Sequence, residues 1–267
     1  MATLKQETIA KSIALMTGVE CEAKLVPSDE KGIRFHLAND VIEATAENVV
    51  STEHCTVIGN ANIQVMLIEH FMAACALCHI DSLDVYLSHF ELPILDGASK
   101  KWVDIFTQAG ITAFEQKSYN ITEPTSYING KTHIVMIPSD KLNITYAVNF
   151  NHPLLNHCWV SANEDFSEVT EARTFGYLKD LEMLQKAGYA RGVSIENTVG
   201  LTEDGFTTEL LSDKEPAKHK ILDLIGDLYL TGVNPLDLKT EIIVKEAGHT
   251  VHVNFSKTIK NKIMEEK

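Results

Sequence analysis

Residues 219–227 read HKILDLIGD, a histidine with one aspartate four places on and another four places beyond that. Ile221, Leu222, Leu224 and Ile225 fill the gaps, so the polar groups interrupt an apolar segment. Folded as a helix, the segment puts His219, Asp223 and Asp227 one turn apart along a single line. An imidazole and a carboxylate at that spacing can reach one metal ion, and borderline Zn²⁺ takes both ligand types. The same spacing also suits a histidine N–H bonded to a carboxylate, or a solvated polar stripe. If the groups are buried, something must compensate them.

Three other stretches offer complementary chemistry. Glu69-His70 stands in IEHFMAA beside Ile68, Phe71 and Met72, where a lone histidine is ordinarily a satisfied core residue. If His70 met His219 and Asp223, two nitrogens and one carboxylate would leave a coordination position open, as catalytic zinc requires. Glu69 would then take a proton from the attacking water. In Ala247-Gly248-His249 the histidine follows a strand and reads as a loop residue. Near a metal it becomes an imidazolium that stabilises an oxyanion or protonates a leaving amine, with Asp227 as its partner. In Glu171-Ala172-Arg173-Thr174-Phe175-Gly176, the Thr174 hydroxyl can donate to an oxyanion. Cys75-Ala-Leu-Cys78-His79 matches haem-attachment spacing and half of a zinc site. It lies in a helix-like run with no second pair, and reads as two thiols on a packed face.

The elements that must hold these residues come in two similar sets. Strands are expected around 19–26, 32–37 and 54–58, a helix over 63–78, a strand at 82–88, and a helix from Trp102 to Ala109 ended by Gly110. ELPILDGAS, 91–99, is rich in turn residues. The second set has strands at 119–127, 131–137 and 142–150, with Asn129-Gly130 marking a hairpin. Helices follow at 177–187 and 216–231, then a strand near 239–245 and a final helix around 255–266. TEPTSYING, 122–130, carries the expected boundary between a first domain, 1–122, and a second, 123–267. Strands grouped before helices, twice over, imply an α+β fold of two similar domains, each a layer of mostly antiparallel strands on helices.

Composition is that of a soluble globular protein, and the net charge of −14 argues against nucleic acid or an anionic membrane as partner. No apolar run is long enough to span a membrane, and the first residues make a poor signal peptide. With five scattered cysteines, the expected compartment is the cytoplasm and the expected state a monomer.

IEHFMAA, ELPILDGAS, ARTFGY, HKILDLIGDLYLTG and AGHTVHVNF occur in one order at characteristic separations, with FNHP at 150–153. Together they closely resemble the zinc-dependent UDP-3-O-acyl-N-acetylglucosamine deacetylases of lipid A biosynthesis. The resemblance implies Zn²⁺, or Fe²⁺ in the same site, held by His70, His219 and Asp223, with an active site between two α+β domains. It implies Glu69 as general base, His249 as acid or electrostatic partner oriented by Asp227, and Thr174 on the oxyanion. A UDP-linked acylated amino sugar would meet Lys220, Phe175, Asp180, Leu184 and Val193, with an acyl passage in the insert around 178–200. The family's N-terminal Gly-Leu-His-Ser-Gly-type loop corresponds here to Ala14-Leu15-Met16-Thr17-Gly18, and a family glycine pair appears as Gly192-Val193. Both departures touch the surroundings of the substrate, and neither touches an implied ligand.

Overall fold

The computed structural model describes residues 1–265. In the first half, β1 (Thr8–Ile13), β2 (Glu20–Pro27), β3 (Gly32–Leu37) and β4 (Asp40–Glu43) form two hairpins. Three short strands follow, β5 (Val49–Ser51), β6 (Val57–Gly59) and β7 (Gln64–Met66). After them come α1 (Glu69–Leu77), β8 (Ser82–Leu87) and α2 (Lys100–Ala109). The second half opens with β9 (Tyr119–Asn120), β10 (Thr125–Asn129), β11 (Thr132–Pro138), β12 (Asn143–Val148) and β13 (Cys158–Asn163). It continues through α3 (Ser167–Thr170), β14 (Thr174–Tyr177), α4 (Leu178–Lys186) and β15 (Thr198–Leu201). It closes with α5 (Glu215–Tyr229), β16 (Leu238–Lys245) and α6 (His249–Glu265).

The two main sheets share one topology. Their strand orders are β1-β2-β8-β3-β4 and β10-β11-β16-β12-β13, with β9 paired to β16. In each, a late strand enters between two hairpins, antiparallel to one and parallel to the other. The unit β-β-β-β-α-β-α is therefore used twice, which is the α+β duplication expected from the sequence. Each unit carries an insertion before its first helix. In the first it is the β5-β6-β7 sheet, and in the second it is β14, α4 and β15.

Strand alternation supplies the core. Cys21, Ala23 and Leu25 of β2 point inward, as do Leu238, Thr240, Ile242 and Val244 of β16. Helices α1 and α5 pack against each other, α1 backed by Phe35 of β3 through Phe71, and α5 by β12 and β13. Eight consecutive residues of α1, Glu69 to Ala76, are buried, as a helix covered on all sides must be. The crossing is close: a Cβ on Gly226 would lie 2.0 Å from the Glu69 carbonyl oxygen. Helix α2 adds Trp102 and Phe106, both edge-on to Phe71, and stops at Gly110, φ +74°.

The structure departs from the sequence expectation at several places. The helix expected over 63–78 begins only at Glu69, because 64–66 forms β7 and Leu67 turns through φ +62°. A short apolar run has no period that separates strand from helix. The last helix starts at His249, six residues before the expected 255, in a stretch where β-branched Thr250, Val251 and Val253 weaken the helical signal. Its expected end at 266 lies outside the described residues. Finally, β1, β4, β5, β13, α3, β14 and β15 form where no element is expected, and the strand expected over 119–127 is two, β9 and β10. No helix among the described residues is long and apolar enough to cross a membrane.

Candidate active site

His70 is the second residue of α1, while His219 and Asp223 lie a turn apart on α5. The close crossing of these helices brings the three together. His70 Nε2 lies 3.6 Å and His219 Nε2 3.3 Å from Asp223 Oδ1, with all three residues buried. His219 Nδ1 donates to the Ala172 carbonyl at 2.8 Å, which leaves the Nε2 lone pair facing the cluster. Lys220 Nζ donates to Asp223 Oδ2 at 2.5 Å, whereas Oδ1 is buried without any hydrogen-bond partner. An orphaned carboxylate oxygen facing two imidazole nitrogens is compensated by a cation. These residues fit a divalent metal of borderline softness, three ligands with room for more. Burial holds the His219 imidazole down to about 4, hence neutral. Burial works against ionisation of Asp223, but its charged neighbours, Lys220 first, outweigh it and hold the carboxyl well below the usual range. Both groups thus stand in the protonation state that metal binding would need.

A second chain of polar groups runs alongside. Glu69 Oε2 accepts the Thr56 backbone N–H at 3.0 Å, and its Oε1 lies 3.8 Å from His249 Nε2. His249 Nδ1 lies 2.8 Å from Asp227 Oδ2, and Asp227 Oδ1 accepts the Thr56 hydroxyl at 2.5 Å. Burial pushes the Glu69 carboxyl up, against the pull of His249 and His70. Burial opposes charge on His249 as well, but Asp227, Asp223 and Glu69 raise it to about 9. A carboxylate raised by burial is a better proton acceptor, and an imidazole held charged is a proton donor. The two stand beside the His70, His219 and Asp223 cluster, His249 Nε2 lying 3.9 Å from Asp223 Oδ2.

These groups floor a cavity of about 570 Å³. Glu69, His70, His219, Asp223 and His249 all line it, as do Lys220, Thr174, Phe175, Asp180, Leu184 and Val193. Asp227 stands behind His249, off the wall. Thr174 is fixed by its backbone N–H, which donates to Gly97 O at 2.7 Å. Gly97 sits at φ +78°, and a Cβ there would fall 1.7 Å from the Asn197 carbonyl oxygen, so ELPILDGAS is read here as a turn only glycine can make. Next to Thr174, buried Arg173 clamps Glu215 at the start of α5, Nε to Oε1 at 2.8 Å and Nη2 to Oε2 at 3.0 Å. The clamp ties the β14 strand to the helix that carries His219. Phe175 stands edge-on to His219. Helix α4 has no fully buried residue, and its Leu178 and Met183 remain exposed beside the half-buried Leu184.

A family model described as UDP-3-O-acyl N-acetylglycosamine deacetylase matches residues 1–261. The chain belongs to that family. It is accordingly a hydrolase. Curated relatives named UDP-3-O-acyl-N-acetylglucosamine deacetylase match along most of its length. One from Leptospira biflexa serovar Patoc is 34% identical over 274 residues, covering 98% of this chain and 90% of the relative. One from Geotalea uraniireducens is 35% identical over 266 residues, covering 95% and 86%. One from Pseudomonas entomophila is 36% identical over 245 residues, covering 86% and 81%.

The structure places Glu69, His70, Thr174, Phe175, Asp180, Leu184, Val193, His219, Lys220, Asp223 and His249 on one cavity, with Asp227 behind His249, and adds residues the sequence does not single out. Thr56 holds both Glu69 and Asp227, yet lies in the β5–β6 segment with no motif around it. Ser99 Oγ donates to the His70 carbonyl at 2.8 Å. His252 Nδ1 lies 2.9 Å from Asp227 Oδ2, and Tyr146 OH 2.9 Å from His252 Nε2. His252 stood inside AGHTVHVNF, one helical turn from His249, and its i, i+3 spacing was the available signal. Cys75 and Cys78 are buried free thiols on α1, with burial raising both, Cys78 to about 12, as packed side chains. Met16 lines the cavity, and its loop is pinned by buried Glu91, which accepts the Met16 and Thr17 backbone N–H groups at 2.6 and 3.2 Å.

Proposed function

We propose that the protein is a zinc-dependent hydrolase that removes the N-acetyl group from a UDP-linked 3-O-acyl-N-acetylglucosamine, the committed step of lipid A biosynthesis. The observation that carries this reading is the orphaned Asp223 Oδ1 facing His70 and His219, at the floor of an apolar-walled cavity with Glu69 and His249 beside it. His70 Nε2, His219 Nε2 and an Asp223 oxygen would hold the ion, and Fe²⁺ suits the same donor set. When bound, the ion supplies Lewis-acid polarisation of the amide carbonyl and acidifies water for attack.

The chain's own groups divide the remaining work. Glu69, raised by burial, accepts the proton that the attacking water loses. Thr174 Oγ1 and the His249 imidazolium donate to the oxygen on which negative charge develops. His249 then gives its proton to the departing nitrogen, so the amino sugar leaves as an amine and acetate is released. Asp227 keeps His249 charged and turned toward the site. Lys220 screens Asp223 and stands at the cavity edge for a substrate oxygen. Leu178, Leu184 and Val193 offer an apolar wall to an acyl chain, which gains about 0.8 kcal/mol per buried methylene.

A second reading keeps the chemistry and changes the sugar. Met16 stands on the cavity wall where the family loop has a histidine, so a different acylated amino sugar could fit there. Acetate release measured side by side on UDP-linked substrates of varied acyl group and sugar, with metal content determined on the same sample, separates the two. One metal per chain with turnover on the 3-O-acyl-N-acetylglucosamine is the expected result. Metal-loaded protein inert on every such substrate would remove both readings.

A further inference from the structure

Asp227 does more than serve His249. Its Oδ2 faces two imidazoles, His249 Nδ1 at 2.8 Å and His252 Nδ1 at 2.9 Å, while Oδ1 takes the Thr56 hydroxyl. Asp227, His252 and Tyr146 are all fully buried. A carboxylate has no proton to give, so both rings carry hydrogen on Nδ1. That leaves His252 Nε2 facing the hydroxyl of Tyr146, a residue of β12, at 2.9 Å. The same hydroxyl can donate its single hydrogen instead to the carbonyl of Ala247 at 2.9 Å, two residues before His249, so the two acceptors share it. Tyr146 thus touches both the ring that shares Asp227 and the loop that delivers His249. Ser256 Oγ, on α6, closes the arrangement by donating to the Asp227 carbonyl at 3.0 Å.

Asp227, His249 and His252 also have the composition of a metal site, with ligand atoms mutually within 4.8 Å. Their hydrogen bonds argue otherwise. Both Nδ1 atoms and both carboxylate oxygens are already engaged with one another or with Thr56. The contrast is Asp223, whose Oδ1 has no partner at all.

We propose that His252, backed by Tyr146, is a positioning residue for the reaction, holding the Asp227 carboxylate so that His249 presents Nε2 to the cavity. The inference rests on the deacetylase reading for the identity of that reaction. Without His252, the Asp227 side chain loses one of its three donors and the freedom of its Oδ2 rises. His249 then spends part of its time turned away from the reacting atoms, which lowers kcat and leaves substrate affinity nearly unchanged. The hydroxyl of Tyr146 matters most while an acceptor nitrogen stands opposite it, and it keeps its contact with the Ala247 carbonyl otherwise.

The test uses the full zinc-loaded chain with His252→Leu, His252→Asn, Tyr146→Phe and the Asn/Phe double variant. A neighbour that orients a site residue in this way typically changes activity by about 10–100-fold. His252→Leu is expected to lose kcat in that range with KM within roughly twofold and one zinc per chain retained. His252→Asn, whose amide can place an N–H where Nδ1 stood, recovers most of the loss. Tyr146→Phe lowers kcat more in the His252 background than in the Asn background, where only its contact with Ala247 remains to be lost, a coupling read from the double-mutant cycle. Proton spectra of the imidazole N–H groups supply a signature independent of turnover. Two downfield Nδ1–H resonances are expected in the parent chain, and in His252→Leu the remaining one, from His249, broadens through faster exchange. Wild-type kcat in His252→Leu overturns the proposal. So does an Asn variant no better than Leu at equal thermal stability, or a second zinc that His252→Leu removes. If the parent chain turns over none of the UDP-linked substrates, the functional reading fails, and the N–H spectra still decide the positioning role.

Discussion

At the scale of single residues, the site divides its work through opposite electrostatic settings. Glu69 is pushed up chiefly by burial, while His249 is drawn up to about 9 by Asp227, Asp223 and Glu69 in spite of burial. With Glu69 as the proposed base ionised and His249 as the proposed acid protonated, kcat/KM should rise through the acid range and fall as pH passes about 9. Asp227→Asn removes the anion that most favours the imidazolium. The alkaline limb should then move down by about 1–3 pH units, since an adjacent opposite charge is worth that much. A pH–rate profile with an unmoved alkaline limb would mean that His249 is not the titrating acid. Glu69→Gln keeps the shape of the side chain and removes its proton-accepting oxygen. Turnover should fall by roughly 10²–10⁴-fold with metal content unchanged, read by acetate release beside elemental analysis.

At the scale of elements, the decisive feature is the crossing of α1 and α5. A methyl group on Gly226 would lie 2.0 Å from the Glu69 carbonyl oxygen, which is backbone and cannot swing aside. Alanine favours a helix over glycine by about 1 kcal/mol, yet overpacking of this kind costs about 1–3 kcal/mol or more. The clash should win. Gly226→Ala is expected to lower the denaturation midpoint and also to weaken metal binding, because it moves His70 on α1 away from His219 and Asp223 on α5. Denaturant titration and metal affinity measured together check this, and a stabilised variant with unaltered affinity would contradict the crossing. Much of this layout was readable in the chain. HKILDLIGD has the helical period that lines up His219, Asp223 and Asp227, and Asn129-Gly130 marks the β10–β11 hairpin, where Gly130 takes φ +60°. What was hidden depends on contacts between distant segments. Thr56 meets Asp227 across 171 positions and Tyr146 meets His252 across 106, and no local pattern records either pairing. The start of α6 was hidden for another reason, since β-branched residues follow His249 and the helix forms because packing overrides propensity.

At the scale of the whole molecule, the duplicated fold brings its halves together at the proposed metal site. His70 comes from the first unit and His219 and Asp223 from the second, so an ion bound to all three couples the two. A ligand that binds only the folded state stabilises it by about 4 kcal/mol when present at 1,000 times its dissociation constant. Chelation should therefore lower the melting temperature as well as abolish turnover, and added zinc should restore both. Loss of activity with an unmoved melting temperature would point to an ion held by one half alone.

The cavity is likewise shared, and its size and lining make a prediction that no single residue carries. Leu15 and Met16 come from the β1–β2 turn and His54 from the first insertion, while Leu178, Leu184 and Val193 come from the second. Leu178 and Met183 keep apolar surface open to solvent, and covering it with substrate returns the free energy of burial. At about 0.8 kcal/mol per methylene, each carbon removed from the acyl chain should cost about fourfold in kcat/KM, as long as the chain still lies in the cavity. A homologous series of UDP-linked substrates should therefore fall on a steep line that flattens where the acyl chain outgrows the wall. Leu184→Trp fills part of that wall from α4, outside the Glu69 and proposed metal-ligand cluster. It should penalise long acyl chains and leave the shortest substrates close to the parent rate. Equal losses at every chain length would mean that Leu184 supports the fold of α4 and does not border the acyl path.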